Sequence, residues 1–119
     1  MHAPPWKFVD RVLERSSHHA RAEKLLSADE PLGCGPLFVV EALAQTAAEV
    51  GRGDLGEHRG YLTAISNFRF SSLGKPGDRI ELCVTRTQQL GALHRFSAEA
   101  RIDGHTVAAG ELTFALYRP

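Results

Sequence analysis

The chain predicts an α+β domain, a curved antiparallel sheet wrapped around one central helix. Three observations carry this. Pro36 to Val50 is a single, largely apolar run that suits a helix. The half that follows Gly60 alternates apolar with polar residues, the period of strands. Its runs are separated by Gly74-Lys75-Pro76-Gly77-Asp78 and by Asp103-Gly104, strong turn and hairpin signals.

Trp6 to Arg15 opens with a short lead-in and continues as a strand through Phe8-Val9-Asp10-Arg11-Val12-Leu13-Glu14. Ser16-Ser17-His18-His19 is polar and reads as a turn. Ala20 to Ser27 sets Ala20, Ala22 and Leu26 against charged neighbours and suits a second strand. Ser27 to Pro36 is a loop: Gly33 and Gly35 allow unusual backbone angles, and Pro36 suits the first helical position. The helix runs to Val50, and the polar, glycine-punctuated stretch from Gly51 to Gly60 stops it. Tyr61 to Ser72, with Leu62, Ala64, Phe68 and Phe70, is a long strand-like segment. Ile80, Leu82 and Val84 alternate with Glu81, Cys83 and Thr85. Gln88 to Leu93 bends around Gly91, His94 to Ile102 alternates again, and Thr106 to Tyr117 returns with Val107, Ala109, Leu112, Phe114 and Leu116. The sum is one central helix, a short strand pair before it and three long antiparallel strands after it. Such a sheet leaves an edge strand and one face open, so pairing with a second copy is expected.

A length of 119 residues predicts one domain spanning 1–119. Lys+Arg and Asp+Glu both number 14, with no basic stripe, which argues against nucleic acid as the main partner. The longest apolar stretch falls far short of the roughly 20 residues that span a bilayer. The N-terminal Met1-His2-Ala3-Pro4-Pro5-Trp6-Lys7 has no apolar core of a secretory signal. Cys34 and Cys83 lie in unlike contexts, so reduced thiols in a cytoplasmic protein are expected rather than a disulfide scaffold. No His/Cys/Asp cluster has ligand spacing, so no metal is expected.

Glu41 is the residue that asks for a function. It stands in Pro36-Leu37-Phe38-Val39-Val40-Glu41-Ala42-Leu43-Ala44-Gln45, apolar apart from itself and the closing glutamine. On a helix, Leu37, Glu41 and Gln45 fall on one line at i, i+4 spacing. With aliphatic, aromatic or alanine neighbours, the helix is expected to be covered almost all round. A carboxylate there loses hydration and is pushed toward neutrality unless a partner compensates, which is what general acid–base chemistry uses. The competing reading is a side chain that only hydrogen-bonds at a pocket edge or subunit boundary.

Leu37-Phe38-Val39-Val40-Glu41-Ala42-Leu43-Ala44-Gln45 resembles the central helix of the hotdog-fold 3-hydroxyacyl-acyl-carrier-protein dehydratases. Phe8-Val9-Asp10-Arg11-Val12-Leu13, Asn67-Phe68-Arg69-Phe70, Lys75-Pro76-Gly77-Asp78 and Ala100-Arg101-Ile102-Asp103-Gly104-His105-Thr106-Val107-Ala108 look like other segments of that family, in its order. The resemblance implies a dimerising hotdog fold. It also implies an acyl thioester substrate on the phosphopantetheine of acyl carrier protein or coenzyme A, with no other cofactor. The reaction implied is syn loss of water, with Glu41 facing a histidine from the partner subunit's loop.

The loop departs from the family. It reads Asp29-Glu30-Pro31-Leu32-Gly33-Cys34-Gly35-Pro36, shorter than usual, and no histidine lies between His19 and His58. Pro36 also replaces a glycine whose N–H would polarise the thioester carbonyl. The N–H groups of Leu37 and Phe38 remain to attract it, so Gly35, Leu37 and Phe38 are the carbonyl-binding candidates. Three readings follow: a divergent dehydratase that recruits His18, His19, His58 or His94; a thioesterase in which Glu41 activates water; or a silent acyl-binding or partner subunit. Gln45 is the candidate support for Glu41, against a plain helix–sheet contact. Phe68 and Phe70 are candidates to line the acyl chain, against plain core. Arg69 is weighed as a contact for an acidic carrier protein against a solvated strand arginine, and Cys34 as a thiol at a helix start against an inert one.

Overall fold

The computed structural model describes residues 9–29, 35–51 and 59–117. Its elements are β1 (Arg11–Arg15), β2 (His19–Leu25), α1 (Pro36–Ala47), β3 (Arg59–Phe70), β4 (Arg79–Leu90), β5 (Leu93–Ile102) and β6 (His105–Tyr117). The strands form one antiparallel sheet in the order β1-β2-β4-β5-β6-β3. No helix among the described residues is long and apolar enough to cross a membrane.

Four long strands follow the helix rather than three. At the β5–β6 hairpin Asp103 and Gly104 both take positive φ, 52° and 79°, as a type I′ pair requires. Between β3 and β4, Gly77 at φ 97° donates its N–H to Leu26 O, and Lys75 N–H donates to Asp78 Oδ2.

The helix starts where proline can start one: Pro36 needs no hydrogen bond at its nitrogen, and Val39 N–H bonds Gly35 O. It ends three residues earlier than its composition suggests. Glu49 N–H bonds Thr46 O and Val50 N–H bonds Ala47 O, three residues back, and Gly51 at φ 66° turns the chain away.

One face of the helix meets the sheet. Phe38, Val39, Leu43 and Thr46 are shielded almost completely, and Thr46 donates its own hydroxyl to Ala42 O at 2.8 Å. Full burial of Phe38 and Leu43 stabilises the fold by about 1.5–3 kcal/mol each. Below them, the floor of the sheet is built of small side chains, Ala20, Ala22, Ala98, Ala100 and Ala108, beside Ile80, Leu82 and Val84. Alanine on central strands lets a helix settle close to a curved sheet without opening voids. The main contacts of α1 are with β4, then β2 and β5. β6 and β3 therefore extend beyond its principal footprint.

Candidate functional site

The open side of α1 carries the line read from sequence. Leu37 is 56% exposed, and Glu41 and Gln45 are half-buried. Within the single chain the helix is not covered all round: Leu37, Glu41, Ala44, Gln45 and Ala48 face away from the sheet, opposite Val39, Leu43 and Thr46. Periodicity dictates which residues align, but not that this side is left for something else to cover.

Gln45 opens into a cleft of about 310 Å³ between the lead-in to β1 and the last turns of the helix, shared with Val9, Asp10, Val12, Thr46 and Glu49. At the other end of the helix, Gly35 is the cap residue with no side-chain bond, and a Cβ placed on it would meet nothing within 4 Å. A group approaching there meets the N–H end of the helix and its partial positive charge. Leu37 and Phe38 lie in the first turn, where backbone N–H groups point to that end.

The histidines are spread over the molecule. His18 lies in the β1–β2 turn and His19 opens β2; Gly51 N–H fastens that turn to the far end of the helix through Ser16 O. There His19 Nε2 lies 2.5 Å from Glu14 Oε1, and its Nδ1 lies 3.1 Å from Ser16 Oγ. The Ser16 oxygen also accepts the N–H groups of His18 and His19, so it works as a turn cap. The His19 bond, more than any other influence, holds the Glu14 carboxyl below its usual range. His94 is buried, 3% exposed, in the row beside the β4–β5 hairpin tip, between Gln89 and Phe114. Cys34 and His58 lie outside the described residues.

Phe68 and Phe70 stack with ring centroids 5.9 Å apart, half-buried against the core. Sequence reasoning singles them out but misses what places them. Ser66 faces Glu111 and Arg69 faces Ala109, so Asn67 and Phe68 together oppose Gly110, a β-bulge. The one legible sign is a glycine at mid-strand, Gly110. Arg69 is exposed on β3.

On the outer face, Arg21 bridges Glu81 and Glu14, and Arg101 bridges Glu99 and Glu81. Cys83 sits among them, its thiol pushed up to about 11 by burial and then by Glu81. A thiol so poised is not a nucleophile at neutral pH. Among the described residues no group of three or more His, Cys, Asp or Glu side chains could hold a metal ion.

No family model matches the chain. Among solved structures, it superposes on the dehydratase heterocomplex ApeI:P from Xenorhabdus doucetiae with TM-score 0.81 and 18% identity, over 99% of this chain and 86% of that one. A thioesterase-superfamily protein of Thermus thermophilus gives TM-score 0.73 at 14% identity, over 98% of this chain and 87% of that one. Likeness at this identity establishes the hotdog fold. Sequence relatives reach further. The 3-hydroxyacyl-acyl-carrier-protein dehydratase FabZ of Bacillus velezensis is 35% identical over 97% of this chain and 90% of its own length. That of Rhizobium rhizogenes is 32% identical over 98% of this chain and 82% of its own length. With a third of its residues shared along nearly its whole length, the chain belongs to the FabZ family of 3-hydroxyacyl-acyl-carrier-protein dehydratases.

Proposed function

We propose that this protein dehydrates 3-hydroxyacyl thioesters of fatty-acid or polyketide type, carried on acyl carrier protein or coenzyme A, in the cytoplasm. The observation that supports this most is the position of Glu41, half-buried with Gln45 and Leu37 on the side of the helix that the sheet leaves open.

In the elimination the proton on the α-carbon is removed, its electron pair becomes the new double bond, and the β-hydroxyl takes up a proton and leaves as water. In syn geometry both lost groups lie on one face of the substrate. One carboxyl group reaches both, so Glu41 takes the α-proton and returns a proton to the departing oxygen. Gln45, one turn on, supports its orientation. The helix start at Gly35, Leu37 and Phe38 receives the thioester carbonyl, where negative charge builds.

Enclosure comes from a second copy. β3 has twelve residues and, among the described residues, pairs on one side only, with β6; Tyr61 and Ile65 on it are exposed. A long, partly apolar edge of this kind is a template for pairing, and a homodimer joined there covers it.

A second reading, thioester hydrolysis with Glu41 orienting water, is favoured by one fact: the segment between His19 and His58 offers no histidine, and hydrolysis asks only for a carboxylate and helix amides. One assay separates the two. The purified protein is mixed with 3-hydroxyacyl and saturated acyl thioesters, and enoyl formation and thiol release are followed. Enoyl product supports elimination and thiol release supports hydrolysis. Glu41→Gln is expected to lower the productive rate by about 10²–10⁴. Full activity in that variant overturns the role of Glu41.

A further inference from the structure

The concave face of β6 and β3, beyond the main footprint of the helix, carries Leu62, Phe68, Phe70 and Phe114, all half-buried at the border of the core. Two departures from ordinary strand structure serve one of these side chains. Asn67 holds φ 57°, a left-handed conformation uncommon outside glycine, which asparagine tolerates better than most side chains. Its Nδ2 donates to Glu111 Oε1 at 2.9 Å on the neighbouring strand, which fixes the bulge. Opposite the bulge stands Gly110, where a Cβ would lie 2.3 Å from the Phe68 ring. Glycine weakens the middle of a strand, and a left-handed asparagine is strained. Both stand where they lay one phenyl ring across β6, and bulges are devices that re-aim a side chain beside a site.

We infer that Phe68 sets the length of acyl chain the protein accepts, with Asn67 and Glu111 as the positioning residues that hold its ring over Gly110. This rests on the acyl-thioester reading of the site. A hydrocarbon tail entering beside the helix finds its apolar wall on β3 and β6, and the Phe68 ring fills the depth that Gly110 would otherwise leave empty. A smaller side chain uncovers that depth for the end of a longer tail.

The test compares kcat/KM for 3-hydroxybutyryl, 3-hydroxyoctanoyl and 3-hydroxydodecanoyl thioesters. Phe68→Leu is expected to raise the dodecanoyl-to-butyryl ratio by about tenfold, the worth of one or two newly buried methylenes. Phe68→Met serves if the leucine variant does not fold. Glu111→Ala is expected to shift the ratio in the same direction, and Glu111→Gln, whose amide oxygen still accepts from Asn67, to restore it. A protein that turns over these thioesters but keeps one ratio in all variants overturns the inference and leaves the dehydratase reading standing. If no turnover occurs, calorimetric binding of saturated octanoyl- and dodecanoyl-coenzyme A replaces it. A shifted affinity ratio in Phe68→Leu then supports the inference, an unshifted one overturns it, and absence of binding by the unsubstituted protein overturns both.

Discussion

Arg15 Nη1 stands 2.6 Å from Glu49 Oε1, joining the last residue of β1 to the turn that ends the helix. The arginine side chain is 54% exposed and the glutamate 15% exposed. An ion pair with one partner largely in water couples weakly. A double-mutant cycle of Arg15→Ala and Glu49→Ala in urea unfolding is expected to give a coupling of about 0.2–1 kcal/mol. A coupling of several kcal/mol contradicts the exposure of this pair.

Gly110→Ala tests the contact beneath Phe68. Alanine for glycine in a strand ordinarily stabilises by about 0.5–1 kcal/mol. Here the added carbon would lie 2.3 Å from the ring, so overpacking wins and the variant loses about 1–3 kcal/mol in thermal or urea melts. The pair of changes Gly110→Ala and Phe68→Leu is expected to recover part of the loss.

Glu99 on the outer face contributes to acid stability. Glu99 accepts the Thr106 hydroxyl at 2.6 Å, and this bond, followed by Arg101, holds its carboxyl below the ordinary 4.5. A lowered folded-state value contributes stability that is complete above 4.5 and is lost as pH falls through that lowered value. Thr106→Val removes the leading cause. Its melting temperature is expected to sit lower at neutral pH and to fall less steeply in the acid range than that of the unsubstituted protein.

Cys83 is predicted to resist alkylation. With the thiol pushed up to about 11 from an ordinary 9.0, the thiolate at pH 8 is scarcer than in a free cysteine. In a Cys34→Ser background, iodoacetamide is expected to label Cys83 about a hundredfold more slowly in the folded protein than in urea. Equal rates contradict its half-buried placement beside Glu81.

Turns and alignment are legible in the sequence because few residues tolerate what they demand. Asp103-Gly104 announces two positive φ angles, and Leu37, Glu41 and Gln45 announce one helix line by spacing alone. The length of β4 is not legible: Gln88 and Gln89 are exposed and polar, and only pairing with Arg95 and His94 keeps them in a strand. The Asn67 bulge is hidden for a related reason, since it is fixed by Glu111, forty-four residues away. Half-burial of Glu41 depends on which side of the helix the sheet reaches, and local periodicity does not encode that side. His94 keeps step with Phe96, Ala98 and Ala100 in its alternating strand, and it lies with them on the buried side.

The place of β3 at the outer end of the sheet shapes how the chain folds during synthesis. Its partner within the chain is β6, with β4 and β5 between them in sequence, so β3 leaves the ribosome before the strand it zips against has been made. Such distant pairing slows folding and leaves an unpaired, partly greasy strand in the nascent chain. Exposure of a strand that waits for its partner is therefore written into strand order.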